Sequence, residues 1–233
     1  MKSLTKLNHL AIIPDGNRRW AKKHSLEPWL GHQQGIASLQ ELLKTALEND
    51  IHYITFWGAS VDNLVKRSKQ EIIFLLKVIE KSLSKPDLHD FLHKYKIRVT
   101  FLGEWKTFVK DEHLKKAFEY LEQQTASYTK NFLTILFAYD GKREMLQAIN
   151  KASRGDSPLG DEDLRKQLST GYLPDVDLVI RTGGQPHWSA GFMMWLAANS
   201  QFYFTETLWP DFGPEDLRKA FEDYATRERK MGT

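Results

Sequence analysis

Asp15, Gly16, Asn17, Arg18 and Arg19 put one carboxylate and two guanidiniums into a single short turn. The turn follows an apolar run, Leu10–Ile13, and Pro14, and it opens onto Arg18–Lys23, a stretch without helix breakers. A β-branched run ending in Asp-Gly-Asn predicts a buried strand, a tight turn and the start of a helix. Helix N-termini present unpaired amides at the positive end of the dipole, a natural anion cradle. Arginine forks match phosphate oxygens. A carboxylate in such a cradle repels phosphate unless a divalent cation bridges the two. The chemistry implied is phosphate binding with a divalent metal. The plain structural reading is an Asx-turn in which Asp15 or Asn17 caps the helix and both arginines are solvated.

Two further loops have unusual composition. Ser60-Val61-Asp62-Asn63-Leu64-Val65-Lys66-Arg67 follows a predicted strand at Tyr53–Trp57, and Arg181-Thr-Gly-Gly184 with His187-Trp188-Ser189 follows one at Val176–Ile180. Each alone fits an ordinary turn. Together at one sheet edge they suit a site for two anions, one beside a carboxylate for metal, the other built from Arg, Ser and backbone amides.

The elements that must position these loops alternate along the chain. Further strands are expected at Arg98–Leu102, Phe132–Phe137 and Phe202–Phe204. Helices are expected at Gly35–Glu48, Glu71–Leu83, Glu112–Tyr128, Arg143–Ala152, Phe192–Ala198 and Pro214–Glu228, with a polar loop over Ser60–Lys69 and a surface loop over Arg154–Asp161. Glu71–Leu83 is apolar on more than one face, which predicts burial against the sheet and against something else apolar. Near-continuous apolar strands alternating with helices give an α/β fold, one domain over residues 1–233, with a mostly parallel central sheet flanked by helices. Ligands bind beyond the carboxyl ends of such strands, where the three loops fall.

Composition narrows the classes. A net charge of +3 over 233 residues gives no footprint for nucleic acid. The absence of cysteine excludes disulfides and thiolate metal sites and suits a reducing compartment. The best apolar run, Phe192–Ala198, is too short to span a membrane, and Met1–Asn8 lacks the apolar core of a signal peptide. A soluble, cytoplasmic protein is expected.

The chain resembles the cis-prenyltransferases of the undecaprenyl diphosphate synthase family from His9 to Gly232. The resemblance rests on His9-Leu-Ala-Ile-Ile-Pro-Asp-Gly-Asn-Arg-Arg-Trp20, on Gly31-His32 with Gly35, and on Ser60 with Asp62-Asn63 and Arg67. It continues through Asp177-Leu-Val-Ile-Arg-Thr-Gly-Gly184, Ser189 with Phe192 and Trp195, Phe204-Thr205, Trp209-Pro-Asp-Phe212 and Arg227-Glu-Arg229. It implies repeated condensation of isopentenyl diphosphate onto an allylic diphosphate, farnesyl or geranylgeranyl, to make a polyprenyl diphosphate lipid carrier. Mg²⁺ is the implied cofactor, held by Asp15, with Gln201 standing where the family has a glutamate credited with binding the metal.

By resemblance the allylic diphosphate takes the amides of Gly16, Asn17, Arg18 and Arg19, both guanidiniums and His32; Trp20, Ser60, Val61, Asp62, Leu64, His187 and Trp188 are implied as further substrate-binding residues. Isopentenyl diphosphate takes Arg181, Ser189 and Arg229, the last from a partner subunit, and Arg67 or Lys66 lies between the two. Asp15 and Asn63 are the implied catalytic residues. An amide is a poor base, so Asn63 is expected to orient the isopentenyl unit while the departing diphosphate accepts the proton. The growing chain needs an apolar tunnel, expected from Glu71–Leu83, Gly35–Glu48 and the sheet face. A homodimer with peripheral membrane contact for product release is implied.

The pattern departs from the family's at several positions. Asp62 replaces the usual glutamate, Pro28 an arginine, and Ala138-Tyr139-Asp140-Gly141-Lys142 the Asn-Tyr-Gly-Gly-Arg motif; Gln185 and His187 are also atypical. Within the family a short-chain or head-to-middle, lavandulyl-type synthase is the second reading. A non-catalytic accessory subunit is another, against which the retained Asp15 and arginines argue. A nucleotide-binding domain is disfavoured by the absence of Gly-x-Gly-x-x-Gly or a phosphate-loop lysine.

Overall fold

All five residues of His9–Ile13 are buried, which places this strand at the centre of the sheet in the computed structural model. The structure describes residues 7–152 and 159–227. In chain order the elements are β1 (His9–Ile13), α1 (Asn17–Lys23), α2 (Pro28–Glu48), β2 (Tyr53–Ser60), α3 (Val61–Lys66), α4 (Lys69–Leu83), α5 (Pro86–Lys94) and β3 (Ile97–Leu102). These are followed by α6 (Trp105–Phe108), α7 (Glu112–Thr125), β4 (Asn131–Tyr139), α8 (Gly141–Ala152), α9 (Asp161–Gln167), β5 (Leu178–Arg181), β6 (Gln201–Phe204) and α10 (Pro214–Thr226).

The sheet runs β3-β4-β2-β1-β5-β6. Every pairing is parallel, so the expected mostly parallel sheet is parallel throughout. Alternate residues of β1 serve opposite faces, as the strand period requires. Leu10 and Ile12 join the core with Leu42, Leu43, Phe118 and Leu217. Ala11 and Ile13 face Phe192, Met193 and Leu196. From β1 the chain passes to β2 on one side, while β5 flanks β1 on the other. The strand order thus reverses between β1 and β5, and ligands in open parallel sheets usually bind beyond the carboxyl ends of the strands at such a point.

Local physics overrides the sequence expectation in two places. Ser60–Lys69, expected as a loop, holds α3: Ser60 Oγ accepts from Asn63 N–H at 3.0 Å while Asn63 Oδ1 accepts from Ser60 N–H at 3.4 Å. This reciprocal capping box satisfies two orphan donors and starts a helix that composition alone disfavours. Phe192–Ala198, expected as a helix, is a series of turns; Gly191 and Met193 take φ of +61° and +48°, which interrupts any helix. Its apolar residues bury Phe192 and Met193 completely against the sheet, so packing rather than helical hydrogen bonding shapes the segment. α5, α6 and α9 are additional helices, and the expected loop Arg154–Asp161 lies mostly outside the described residues. Among the described residues no helix is long and apolar enough to cross a membrane.

Candidate active site

Asp15 stands where β1 ends, and its backbone is clamped before its side chain does anything. Its carbonyl accepts from Trp209 N–H at 3.0 Å and from Thr182 Oγ1 at 2.7 Å. Gly16 then turns with φ +115°, and a Cβ there would lie 2.9 Å from the Leu208 side chain, so glycine alone fits. The first helical bond of α1 runs from Trp20 N–H to the Gly16 carbonyl at 2.8 Å. The amides of Asn17, Arg18 and Arg19 thus have no intrahelical acceptor.

The Asp15 carboxylate bridges two arginines. Oδ1 accepts from Arg19 Nη2 at 3.1 Å and Oδ2 from Arg181 Nη2 at 3.0 Å. Arg19 also donates through Nη1 to the Gly183 carbonyl at 2.6 Å. Gly183 has φ +83°, and a Cβ would meet Arg19 Nη2 at 2.5 Å and the Asp15 carbonyl at 2.9 Å, so this approach of the two loops requires glycine. Arg181 is 6 % exposed. Its Nη1 donates to the His187 carbonyl at 2.9 Å and to Ser189 Oγ, while Ser189 is within 3.1 Å of His187 Nε2. Arg181 Nε is buried without an acceptor among the described residues, an orphaned donor on a fixed cation.

A second cationic group lies at the start of α1 and the end of α3. Arg67 Nη1 donates to His32 Nε2 at 3.1 Å; a guanidinium has no other role, so His32 carries its proton on Nδ1. Burial, and then the charges of Arg67 and Arg18, lower the His32 pKa to about 3. His32 is thereby a neutral imidazole. Burial likewise lowers Arg67, although Glu71 opposes that. Glu71 of α4, with its side chain 9 % exposed, lies 3.5 Å from Arg18 Nε and 3.7 Å from Arg67 Nε. Sequence reasoning missed Glu71, Thr182 and the clamp by Trp209. The capping-box spacing Ser68 to Glu71 was the only local signal for the first.

These groups line the mouth of a cavity of about 1540 Å³. Its polar end holds Asp15, Gly16, Asn17, Arg18, Arg19, His32, Ser60, Asp62, Asn63, Arg67, Arg181 and Ser189. Its lining also includes apolar side chains, Leu39 and Leu43 of α2, Leu75, Val78 and Ile79 of α4, Phe118 and Leu121 of α7, and Phe101, Leu133 and Phe137 of the sheet, together with Lys81, Lys85 and Asp87. The lining thus draws on α2, α4, α7 and the sheet.

Other expected residues lie elsewhere. Trp20 donates from Nε1 to Asp211 at 2.6 Å and packs at a tilt against His24. Val61 is buried and Leu64 packs on the main core. Trp188 donates to the Phe192 carbonyl at 2.8 Å and packs edge-on to Phe202, and His187 touches the site only through Ser189 and its own carbonyl. Lys66 pairs with Asp62 at 2.6 Å on the surface, so of these two cations Arg67 lines the cavity. Gln201 pairs with Leu178 at the start of β5, whereas Arg181 and Ile13 pair at its end. Three strand steps, roughly 10 Å, separate it from the site, so the structure does not bring Gln201 to Asp15 of the same chain. Arg229 lies outside the described residues.

A family model described as "Putative undecaprenyl diphosphate synthase" matches residues 13–232. The chain belongs to this family of prenyltransferases. It is similar to the isoprenyl transferase of Thermotoga maritima, 38 % identical over 229 residues that make up 96 % of each chain. It is also similar to the ditrans,polycis-undecaprenyl-diphosphate synthase ((2E,6E)-farnesyl-diphosphate specific) of Buchnera aphidicola, 36 % identical, covering 97 % of this chain and 91 % of that one. Among solved structures it resembles lavandulyl diphosphate synthase from Lavandula x intermedia in complex with dimethylallyl diphosphate, with a TM-score of 0.90, 29 % identity and coverage of 98 % and 99 %. The chain is a prenyl-transferring enzyme of undecaprenyl diphosphate synthase type.

The family's metal can be tested against these donors. Among the described residues no three His, Asp or Glu side chains group as metal ligands. Asp15 is the carboxylate lining the mouth between the two cationic groups, and each of its oxygens also faces a guanidinium. One hard anionic oxygen fits a Mg²⁺ ion that arrives with phosphate oxygens and water of its own, the usual Mg²⁺ arrangement at phosphate sites.

Proposed function

We propose that this chain is a Mg²⁺-dependent cis-prenyltransferase that condenses isopentenyl diphosphate onto an allylic diphosphate and elongates it to a polyprenyl diphosphate. One observation carries the proposal: Asp15 sits between Arg19 and Arg181 at a cavity of about 1540 Å³ whose lining includes many apolar side chains. Two diphosphates at one carboxylate, with a greasy recess beneath, match two headgroups and one growing chain.

The allylic diphosphate binds the free amides of Asn17, Arg18 and Arg19 with the Arg18, Arg19 and Arg67 side chains. Neutral His32, taking a hydrogen bond from Arg67, aims that guanidinium at the mouth. The isopentenyl diphosphate binds Arg181 and Ser189, where the unpaired Arg181 Nε–H finds its acceptor. In the reaction the allylic C1–O bond breaks and the terminal alkene carbon of the isopentenyl unit bonds to that C1. A proton then leaves C2 of the isopentenyl unit. Preorganised amides and guanidiniums stabilise the charge that gathers on the departing diphosphate. Asn63 is held by its own cap to Ser60, lines the same mouth and orients the isopentenyl unit, while diphosphate oxygen accepts the proton. Mg²⁺, held by Asp15 when bound, supplies positive charge against the leaving group. The chain extends into the recess between α2, α4, α7 and the sheet.

The exposed edge at β6, where Trp188 and Phe204 are each 40 % exposed, suits the homodimer implied by resemblance. Incubation with labelled isopentenyl diphosphate, Mg²⁺ and dimethylallyl, farnesyl or geranylgeranyl diphosphate, with products resolved by length, tests the proposal. A ladder of products supports it; no incorporation from any starter overturns it. A head-to-middle synthase is the second reading, favoured by the likeness to lavandulyl diphosphate synthase. It predicts a branched ten-carbon product from dimethylallyl diphosphate alone.

A further inference from the structure

Ala138-Tyr139-Asp140-Gly141-Lys142, where β4 passes into α8, has no role in the reaction as proposed, yet it grips the segment that follows Ser189. Gly141 N–H donates to the Ala190 carbonyl at 3.1 Å, and a Cβ at Gly141 would lie 1.8 Å from the Gly191 carbonyl oxygen, so backbone meets backbone there. Two residues earlier the Tyr139 hydroxyl accepts from Met193 N–H at 3.2 Å and donates to Glu144 Oε2 at 2.6 Å. Glu144 Oε1 accepts from Thr170 N–H at 2.9 Å and from Ser169 Oγ. Tyr139, Glu144, Thr170 and Met193 are all buried. Burial, and then the charge of Glu144, hold the Tyr139 pKa well above its ordinary value, so the phenol keeps the proton it donates.

The gripped segment is held in an unfavourable backbone conformation. Ala190 and Met193 have φ of +46° and +48°, on either side of Gly191 at +61°. Left-handed conformations cost residues with a Cβ and persist only where surrounding contacts fix them. Here Gly141 fixes Ala190, Tyr139 fixes Met193, and Phe192 between them stacks on Trp57 at 5.1 Å. Ser189 stands at the head of this run. Its carbonyl accepts from Phe192 N–H at 2.9 Å and its Oγ accepts from Arg181 Nη1. We infer that Tyr139, oriented by Glu144, is a positioning residue for isopentenyl diphosphate: it fixes the turn that sets Ser189 beside Arg181. The inference rests on the proposed function, in which Arg181 and Ser189 take that diphosphate. The allylic donors Asn17, Arg18, Arg19 and Arg67 make no hydrogen bond to the Tyr139 hydroxyl or the Glu144 carboxylate among the described residues, so the two substrates should respond differently.

Tyr139→Phe keeps the ring and removes the hydroxyl, and amide hydrogen exchange with steady-state kinetics in excess Mg²⁺ tests its role. Amides over residues 189–194 should exchange at least about tenfold faster in the variant, while those of β1 stay protected. KM for isopentenyl diphosphate should rise at least about tenfold, with KM for the allylic diphosphate and kcat changing less than about twofold. Glu144→Gln keeps the phenol and replaces the carboxylate that orients it. It should shift the same constants in the same direction by less, and it carries the test should Tyr139→Phe misfold. Unchanged exchange over residues 189–194 overturns the inference, as do equal shifts in the two KM values, the mark of a general loosening. A parent enzyme that incorporates no isopentenyl unit overturns the proposed function, and with it the site this turn serves; the exchange experiment still reports whether Tyr139 holds the turn.

Discussion

Arg181 Nη2 and Asp15 Oδ2 meet at 3.0 Å across 166 residues of sequence. The contact ties the end of β5 to the turn after β1 and joins the cation of one proposed diphosphate site to the carboxylate proposed to hold metal. Arg181 is buried while Asp15 is a third exposed, so the acid is the partner left open to a ligand. Such a pair organises the site more than it stabilises the fold, since desolvation offsets much of the attraction.

Asp15→Ala is expected to lower turnover by at least about a hundredfold, the scale of losing a key electrostatic group. The protein should stay folded, because the Asp15 backbone clamp by Thr182 and Trp209 does not involve the side chain. Steady-state rates with circular dichroism check both; near-normal product formation by folded Asp15→Ala would remove the carboxylate from the reaction.

Glu71→Gln leaves Arg18 and Arg67 repelling each other beside His32. We expect a loss of about 1–3 kcal/mol in stability, the cost of an uncompensated buried charge. Inorganic diphosphate should restore more thermal stability to the variant than to the parent, because an added anion takes over the neutralising role. Equal shifts in both proteins would show that Glu71 does not balance those arginines.

Gly58→Leu is expected to shorten products while the first condensation persists. A Cβ at Gly58 would lie 3.3 Å from both Ile135 and Phe137, which is tight but adjustable, and the rest of the leucine would enter the cavity. Product ladders from the two proteins should differ in length; identical ladders would mean that the chain does not pass this point.

Acid should destabilise the fold from about pH 6.5 downward. His9 is completely buried and its pKa is lowered to about 4, chiefly by burial; Nδ1 donates to the Pro174 carbonyl and Nε2 accepts from Thr55. His32 is lowered to about 3. Below the ordinary histidine value of about 6.5 the unfolded chain binds protons at both positions while the folded chain does not. Stability is therefore fully present above pH 6.5 and declines as pH falls toward 4, each histidine contributing up to about 1.4 kcal/mol per pH unit. Urea midpoints at pH 7, 6 and 5 should fall less steeply in His32→Asn; a slope equal to the parent's would count against a neutral His32.

The sequence alone determined the strands, the parallel sheet and the loops that carry chemistry. Apolar runs of strand length report burial on both faces directly, and the turn Asp15–Arg19 announces its donors by composition. It could not distinguish a capped helix from a loop at Ser60–Lys69, because a capping box decides that through reciprocal hydrogen bonds. Nor could it see that Phe192–Ala198 avoids a helix, since packing against β1 and β5 satisfies those apolar residues in turns. Only tertiary structure decided which nominated residues converge. Trp20, Trp188 and Gln201 belong to motifs that border the site, yet side-chain direction and strand register carry them away from it. Glu71 works the other way: it reads as one acid on an apolar helix until the fold sets it between Arg18 and Arg67. Spacing along a chain fixes which backbone segment reaches a site, whereas the direction of a side chain depends on contacts between segments far apart in sequence.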